Sequence, residues 1–447
     1  MFSTKRSRAL VALAALWSAS ACDDGAKTRE DAGELSDAGA DDASEPGDSG
    51  PDAQVEACRP DTSAPVPTER CGSEGCGSWV KLEPPGAQCS NGSQYKFFVN
   101  LSSSSNNLLV MFEGGGACWD YASCSGGARG AANRNGISDT HMERTQFMNL
   151  LRRDEQNPLK DWNLVFLPYC TGDVHTGHKV ANYEAPDGGE PLTYRHWGHD
   201  NTLAVVDWIK QRFSDVPQLL VTGYSAGGIG ALQNYLHLRE ALPGVQCGYL
   251  LNDSGPAFHS DGPSKQVQAA TRAAWGVDAL LDELKGQLPI SIDDIKQDAA
   301  RLNTALADKY PRDRLAMTVY EMDLNYSLYS YERFFPGISE AEVHEKWSGE
   351  LDHLLDTFET RANLGYFVPY FRSDNCSHCV SIPPLGRDTA TILSTPWLGT
   401  DIEQEGLNLR DYIERLLDPE QPLRNYREAP QPSEAFTPEE VTKCMTP

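Results

Sequence analysis

The segment that most constrains this chain runs from Val221 to Leu238 and reads VTGYSAGGIGALQNYLHL. An apolar run enters a turn of the form GxSxG, centred on Ser225, and a segment with helical periodicity follows it. This order predicts a strand, a sharp turn and a helix, with the serine hydroxyl exposed at the apex of the turn. We predict that Ser225 is a nucleophile. The alternative is a glycine-rich helix N-terminus that binds an anion or only reverses the chain.

Short apolar runs alternate with helical segments over most of the remaining sequence. Residues 264–312 are polar and helical and indicate an insertion in this pattern. The runs typical of buried strands cover 107–113, 162–169, 247–251 and 315–321, and helical spacing covers 200–212, 338–360 and 407–417. Strands that alternate with helices predict an α/β fold, with a mostly parallel central sheet and helices on both of its faces.

The N-terminus has the three parts of an export signal. A basic start (MFSTKRSR) precedes an apolar stretch (ALVALAALW) and small residues before a cysteine (SASAC). One interpretation is ordinary cleavage near Ala21. The other, which the small residues favour, is a bacterial lipoprotein signal over residues 1–22 with Cys22 as the lipidated residue.

Residues 23–57 have a composition typical of a disordered linker. They are rich in Asp, Ala, Gly, Ser and Pro and contain almost no large apolar side chains, so they cannot bury enough surface to offset the entropy of ordering. We expect an acidic tether here, followed by one catalytic domain over 58–447.

Charge and cysteine content restrict the class of protein. The net charge of -26 argues against nucleic acid and anionic membrane surfaces as partners. Twelve cysteines are typical of an oxidising compartment. Those at positions 58, 71, 76 and 89 indicate an entry segment pinned by disulfides, and we expect Cys118–Cys124 and a link that involves Cys376 or Cys379.

The sequence FEGGGACW provides a candidate oxyanion hole. Gly115 and Gly116 follow an apolar run directly, so their unhindered amides can point into the space above the end of a strand. The residue after the nucleophile, Ala226, is the usual second donor of such a site. A flexible turn is the alternative explanation of the three glycines.

The general base is expected late in the chain, after the acid. His378 is the last of the ten histidines and lies between Cys376 and Cys379. Three carboxylates are sterically reasonable as the acid that orients it: Asp253, Asp323 and Asp374. Position alone favours Asp323 and leaves the other two open.

Two HxxH pairs, His175/His178 and His196/His199, could suggest a metal, as could the CSHC run around His378, although a single CxxC in an exported protein is more often a pair of disulfide cysteines. Neither HxxH pair carries the glutamate of the HExxH motif, so we predict no metal and no cofactor. We expect His175 or His178 to line a pocket instead. Trp119 and Tyr224, beside the glycine loop and the nucleophile, either shape an acyl pocket or only pack.

Four patches of the chain resemble the pectin acetylesterase/Notum family of carboxylesterases. They are LLVMFEGGGACWD, FLPYCTGDVHTG, GYSAGGIGAL and the NDSG and SHC segments. The resemblance implies an α/β-hydrolase-like fold, extracellular action and a triad that needs no cofactor. It matches Ser225 to the nucleophile and His378 to the histidine. It also implies that Asp323, 55 residues earlier, is the acid, and that Asp253 supports the site from beneath.

The sequence therefore predicts a secreted or surface-tethered serine carboxylesterase that acts on O-acyl esters, most simply O-acetyl groups of a polysaccharide such as pectin. A fatty-acyl deacylase is the alternative within enzymes, and a large apolar pocket beside Ser225 would favour it. A catalytically inactive surface binding protein is the alternative from another class. We expect a monomer that contacts a membrane only through an N-terminal lipid.

Overall fold

A computed structural model of the chain describes residues 57–127, 132–372, 377–383 and 406–430. All of them fall within one compact unit, Gln54–Pro447. Cys22, Asp374 and Cys376, which were singled out above, lie outside the described residues.

Within the described residues, nine strands form the central sheet and two further strands form a separate hairpin. The sheet order is β1-β2-β4-β3-β7-β8-β9-β10-β11, and the hairpin pairs β5 with β6. The strands are β1 (Trp79–Leu82), β2 (Phe97–Asn100), β3 (Leu108–Phe112), β4 (Asn163–Leu167), β5 (Lys179–Tyr183), β6 (Leu192–His196), β7 (Gln218–Tyr224), β8 (Cys247–Asp253), β9 (Arg314–Thr318), β10 (Leu364–Val368) and β11 (Tyr426–Arg427).

The antiparallel pairs of this sheet are β1–β2 and β2–β4. All its other neighbouring strands, in the order β4-β3-β7-β8-β9-β10-β11, are parallel. Every residue of β3, β4, β8, β9 and β10 is buried. A parallel strand is buried along its whole length when both faces of the sheet are covered. The predicted α/β-hydrolase-like class, with a mostly parallel central sheet, is confirmed.

Eleven α-helices accompany these strands in the described ranges. They are α1 (Tyr121–Cys124), α2 (Met142–Thr145), α3 (Gly198–Arg212), α4 (Ala226–Ala241), α5 (Lys265–Trp275), α6 (Val277–Glu283), α7 (Ile292–Gln297), α8 (Arg301–Lys309), α9 (Leu324–Tyr331), α10 (Glu340–Phe358) and α11 (Leu409–Leu417). Two 3₁₀ segments cover Thr68–Glu74 and Asn149–Leu151. The helices α5 to α8 form the predicted insertion between β8 and β9.

The register of the parallel strands brings their C-terminal ends to one edge of the sheet. Phe112 of β3 is paired with Gly223 of β7, and Asp253 of β8 is paired with Tyr224 on one side and Thr318 on the other. The loops that follow these strands therefore emerge together. This edge is where open α/β sheets bind their ligands.

Four disulfides join cysteines of the described part of the chain. They are Cys58–Cys247, Cys71–Cys76, Cys89–Cys170 and Cys118–Cys124. The predicted pinning of the entry segment and the predicted Cys118–Cys124 pair are confirmed. Disulfides in this number are typical of a protein that folds in an oxidising compartment. Among the described residues, no helix combines the length and the apolarity needed to cross a membrane.

Candidate active site

Ser225 lies at the apex of a sharp turn between β7 and α4. Its φ of 56° and ψ of -124° belong to a region that a residue with a Cβ rarely adopts. Its backbone N–H donates to the carbonyl oxygen of Asp253 over 2.8 Å, and its own carbonyl oxygen accepts from Gly228 over 2.8 Å. These bonds hold the strained backbone, which is the geometry of a nucleophile elbow.

The two glycines of the turn are required because backbone atoms crowd them. A Cβ on Gly223 would lie 2.2 Å from the carbonyl oxygen of Gly227. A Cβ on Gly227 would lie 2.1 Å from the carbonyl oxygen of Phe112, the last residue of β3. The close packing of β3, β7 and α4 therefore explains both glycines of the GxSxG motif.

The glycine loop after β3 stands beside this turn. Gly115 and Gly116 have φ values of 143° and 74°, which favour glycine. Their N–H groups, and that of Ala226 at the first position of α4, donate to no acceptor within the described residues. All three residues line the same cavity as Ser225. An oxyanion hole requires backbone N–H groups of this kind, which lie near a serine and have no other acceptor.

Glu113 anchors the glycine loop. Its carboxylate accepts from the backbone N–H of Tyr169 over 2.9 Å and pairs with Nε2 of His141 over 2.8 Å. Its carbonyl oxygen accepts from Nε2 of His175 over 2.8 Å. Burial lowers the pKa of His175 to about 4, so this histidine is a neutral donor that fixes the start of the loop.

Asp173 organises the turn that carries His175. Its carboxylate accepts from the hydroxyl of Thr171 over 2.6 Å and from the backbone N–H groups of His175, Gly177 and Gly198 over 3.2, 3.1 and 2.7 Å. Burial raises the pKa of Asp173 to about 6, although these donors oppose the shift. The TGDVHTG patch therefore supports the glycine loop from behind.

His378 and Asp323 form a buried pair. Nδ1 of His378 lies 2.8 Å from Oδ2 of Asp323. The other carboxylate oxygen accepts from the N–H groups of Asn325 and Tyr326, at 3.0 and 2.8 Å, so that Asp323 caps α9. Burial lowers the pKa of His378, but the charge and hydrogen bond of Asp323 and the charge of Asp253 outweigh it and raise the pKa above its ordinary value.

Asp253 holds the loop that carries His378. Its carboxylate accepts from the N–H of Val380 over 2.8 Å, from both the N–H and the hydroxyl of Ser381 over 2.7 and 2.6 Å, and from the hydroxyl of Ser254 over 2.9 Å. The same Ser254 hydroxyl accepts from the N–H of Cys379 over 3.0 Å. The side chain is fully buried, and the hydrogen bond of the His378 ring goes to Asp323 instead.

Backbone strain is concentrated around these groups. Six described residues other than glycine have a positive φ, and they are Val174, His175, Ser225, Ser254, Ser377 and Cys379. Val174 and His175 belong to the turn behind the glycine loop, and Ser225 is the serine of the elbow. Ser254 follows Asp253 directly, and Ser377 and Cys379 flank His378. Strain of this kind persists where surrounding bonds fix the conformation, and it clusters at functional sites.

A cavity of about 1260 Å³ opens from Ser225 and His378. One wall is the face of α4 that bears Ile229, Gln233 and His237, and the opposite wall is formed by the insertion helices α5 and α6. Most of the lining is apolar, with side chains that include Ile229, Val267, Trp275, Val277, Leu281 and Leu284. A large apolar space next to a candidate nucleophile can hold a long acyl chain.

The cavity corrects one prediction made from the sequence. Neither His175 nor His178 lines it: His175 is bonded to Glu113 behind the glycine loop, and Nδ1 of the half-exposed His178 pairs with Asp200 over 2.6 Å. His199, from the second HxxH pair, lines the cavity instead. The turn that carries His175 points its neighbours Val174 and Thr176 into the cavity and its own ring away from it.

Trp119 and Tyr224 have different positions. Tyr224 lines the cavity, whereas Trp119 packs against Tyr329 and Phe334 with the guanidinium of Arg333 4.8 Å from its ring centre. Arg333 also pairs with Asp120. This cluster joins the glycine-loop side of the cavity to α9.

Cys118, Cys124 and His196 are close enough together to suggest a metal site. The two cysteines form a disulfide, so their sulfurs are not available as ligands. The ring of His196 instead bonds to the hydroxyl of Tyr183 over 2.8 Å and to the carbonyl oxygen of Thr171 over 3.1 Å. These three residues therefore form a structural cluster at the β5–β6 hairpin, of which His196 is a part.

Sequence reasoning missed the residues that support the site. Glu113 bonds to His141, Tyr169 and His175 across 28 to 62 positions of the chain, and Asp173 bonds to Gly198 across 25 positions. The sequence carries no periodic signal for such contacts. The acidic residue directly before the three glycines was the one available clue. The Arg333–Asp120 pair joins residues 213 positions apart and left no signal.

The fold and the site geometry define an α/β-hydrolase-like protein with the residue types of a serine carboxylesterase. Residues 79–292 match the family model described as Pectinacetylesterase. The motif resemblance to the pectin acetylesterase/Notum family is thereby confirmed.

Individual relatives come from both branches of that family. Pectin acetylesterase 5 of Arabidopsis thaliana is 36% identical over 179 residues, which are 37% of this chain and 40% of the relative. Palmitoleoyl-protein carboxylesterase NOTUM of Homo sapiens is 29% identical over 196 residues, which are 42% of this chain and 34% of the relative. The chain thus spans less than half the length of these curated relatives.

Among solved structures, the Wnt deacylase Notum from Drosophila superposes with a TM-score of 0.49 at 17% sequence identity. The superposition covers 76% of this chain and 92% of the Drosophila chain.

Proposed function

We propose that this protein is a serine carboxylesterase that cleaves O-acyl esters through an acyl-enzyme. One observation carries the proposal: a strained serine, a buried histidine–carboxylate pair and three backbone N–H groups without an acceptor in the described ranges lie at one cavity. These are the groups that acyl transfer requires.

In the proposed reaction, Ser225 Oγ attacks the ester carbonyl carbon and His378 accepts the hydroxyl proton. Asp323 holds the imidazole through Nδ1 and stabilises the imidazolium without taking the proton. The backbone N–H groups of Gly115, Gly116 and Ala226 stabilise the oxyanion. His378 then returns the proton to the departing alcohol, and a water molecule, activated by the same histidine, cleaves the acyl-enzyme.

The acyl group that we propose is longer than acetyl. An acetyl group would fill a small part of a cavity of about 1260 Å³ whose lining is mostly apolar. Burial of apolar surface stabilises a bound chain by roughly 0.8 kcal/mol for each methylene group, so a long acyl chain gains most from this space. This observation favours the fatty-acyl alternative over the O-acetyl substrate that the sequence alone suggested.

The second candidate is deacetylation of a polysaccharide. It is supported by the match to relatives named pectin acetylesterases. In that case the cavity would accept part of the glycan rather than the acyl chain. The net charge of -26 makes a strongly anionic glycan an unfavourable partner.

Hydrolysis of 4-nitrophenyl esters from acetyl to palmitoyl tests both candidates. A fatty-acyl esterase gives kcat/KM values that rise with chain length, and an acetylesterase gives values that fall beyond acetyl. The Ser225→Ala variant is the control for background hydrolysis. Activity of the wild type equal to that of Ser225→Ala on every ester would contradict the proposed function and favour an inactive binding protein.

We also propose that the chain is an exported monomer with a lipoprotein signal over 1–22, lipidation at Cys22, a tether over 23–57 and the catalytic domain over 58–447. The disulfides support export. Mass spectrometry of the mature N-terminus tests the signal: a diacylated Cys22 supports the lipid anchor, and an unmodified N-terminus near position 22 contradicts it.

A further inference from the structure

The lining of the cavity includes polar side chains that lie well away from Ser225. Gln233 and His237 project from α4, and His199 projects from α3, into the same space. The rings of His199 and His237 meet edge to face with their centres 5.4 Å apart. These three polar side chains are here termed the distal polar cluster.

The side chains of the distal polar cluster have unused hydrogen-bonding capacity. Neither ring of the two histidines nor the Gln233 amide bonds to another residue in the described ranges. His199 is nonetheless only 8% exposed. Because these side chains face the cavity, their donors and acceptors are available to a bound molecule.

Two neighbouring polar side chains of the lining do not share this property. Asn234 donates to the carbonyl oxygens of His175 and Gly230, and Arg272 bonds to Asp278 and to the carbonyl oxygen of Lys296. Their hydrogen bonds are used within the wall itself. The distal polar cluster, by contrast, keeps its donors and acceptors for a bound molecule, as does the hydroxyl of Tyr329 elsewhere in the lining.

The charge state of the cluster selects a neutral partner. Burial and the neighbouring His237 lower the pKa of His199 to about 4, although Asp200 opposes the shift. Burial also lowers the pKa of His237, against the effect of Glu283. Both rings are therefore neutral near pH 7, and each offers one donor and one acceptor nitrogen. A hydroxyl group, which both donates and accepts, matches this set.

Helix geometry gives the distance from the reacting ester. Ser225, Gln233 and His237 lie along one helix, and each residue advances the axis by about 1.5 Å. Gln233 is thus about 12 Å and His237 about 18 Å from the nucleophile along α4. On the same helix, Ile229 lines the cavity between Ser225 and Gln233.

We infer that the distal polar cluster of His199, Gln233 and His237 binds a hydroxyl group carried near the far end of the acyl chain of the substrate. This inference rests on the proposed function and narrows its substrate class to esters of hydroxylated long-chain acids. An unsubstituted chain of the same length leaves the cluster without partners, and a site built to bind a hydroxyl discriminates against the analogue that lacks it.

The test compares matched pairs of 4-nitrophenyl esters, unsubstituted and ω-hydroxylated, from decanoyl to hexadecanoyl, on the full-length protein. We expect kcat/KM to be about tenfold higher for the hydroxylated member of at least one pair, as one well-made hydrogen bond supplies. The near-isosteric variants His237→Phe and Gln233→Leu should bring that ratio close to one. Gln211→Leu, on the exposed side of α3, should keep the wild-type ratio.

Equal kcat/KM within every pair for the wild type would overturn the inference, and so would an unchanged ratio in His237→Phe. Failure of the proposed function gives a different result, namely no turnover of either member of any pair. In that event, calorimetric titration of ω-hydroxydodecanoic and dodecanoic acid into the wild type decides the inference. Tighter binding of the hydroxy acid, lost in His237→Phe, supports the distal polar cluster, and equal binding of the two acids contradicts it.

Discussion

Nδ1 of His378 lies 2.8 Å from Oδ2 of Asp323, and both side chains are buried. The second oxygen of the same carboxylate caps helix α9. One side chain thus fixes the start of a helix and the orientation of the histidine. The catalytic proposal depends on this pair more than on any other contact.

Replacement of Asp323 by asparagine should lower kcat by about 10³- to 10⁴-fold, because the amide favours the wrong tautomer of His378 and cannot stabilise its cation. Steady-state hydrolysis of a 4-nitrophenyl ester measures the change. The exposed Asp207→Asn variant is the matched control and should behave as the wild type. An Asp323→Asn enzyme within threefold of the wild type would exclude Asp323 as the triad acid.

The pH dependence of kcat/KM should report His378. The histidine must be neutral to accept the serine proton, and its pKa lies above the ordinary value of 6.5 because the effects of Asp323 and Asp253 exceed that of burial. Activity should therefore fall as pH decreases through a midpoint above 6.5, and Asp323→Asn should move that midpoint down. A wild-type midpoint at or below 6.5 would contradict this electrostatic assignment.

Folding stability should change with pH in the opposite sense. A histidine whose pKa is raised on folding contributes stability that is fully present below the unfolded value of 6.5 and is lost as pH rises through the folded value. Denaturant unfolding of the wild type and of Asp323→Asn across this range separates the contribution of the pair from that of other groups.

Replacement of Asp253 by asparagine should loosen the His378 loop. One carboxylate oxygen of Asp253 accepts from Val380 and Ser254, and the other accepts from Ser381. An amide nitrogen in place of either oxygen cannot accept these hydrogen bonds, so one of the two sets of donors loses its partner. We expect a loss of about 3 kcal/mol in the free energy of unfolding and a fall in kcat. Denaturant unfolding and ester hydrolysis measure the two effects. No change in either would show that these hydrogen bonds of Asp253 are dispensable.

Two glycine-to-alanine substitutions should have opposite effects. At Gly227 the added Cβ would lie 2.1 Å from a backbone oxygen of β3, so we expect a loss of more than about 4 kcal/mol or no folded protein. At Gly349, within α10, a Cβ would meet nothing within 4 Å, and alanine should stabilise the helix by about 1 kcal/mol. Thermal unfolding of the two variants decides this. A Gly227→Ala protein as stable as the wild type would refute the tight packing of the elbow.

The local patterns of the sequence predicted the centre of the fold well. Buried parallel strands are continuous apolar runs, so β3, β4, β7, β8 and β9 were evident, as were α3 and the helical insertion. The antiparallel strands β1 and β2, the β5–β6 hairpin and the strand β10 were missed, since they are short and carry polar residues or glycine among their apolar ones.

The site divides in the same way. Ser225, the glycines and His378 are marked by short motifs, and the spacing of the family implied Asp323. The residues that position them, such as Asp253 with its bonds to Val380 and Ser381, depend on contacts across 127 and 128 positions that no local pattern encodes. The distal polar cluster likewise exists only because α3 packs beside α4.

The most direct test of the central claim is the mass of the full-length protein after reaction with a fluorophosphonate. If Ser225 is the nucleophile activated by His378, one equivalent should attach, and peptide mapping should place it on Ser225. The Ser225→Ala variant should remain unlabelled. Absence of labelling in the folded wild type, or equal labelling of Ser225→Ala, would contradict the account.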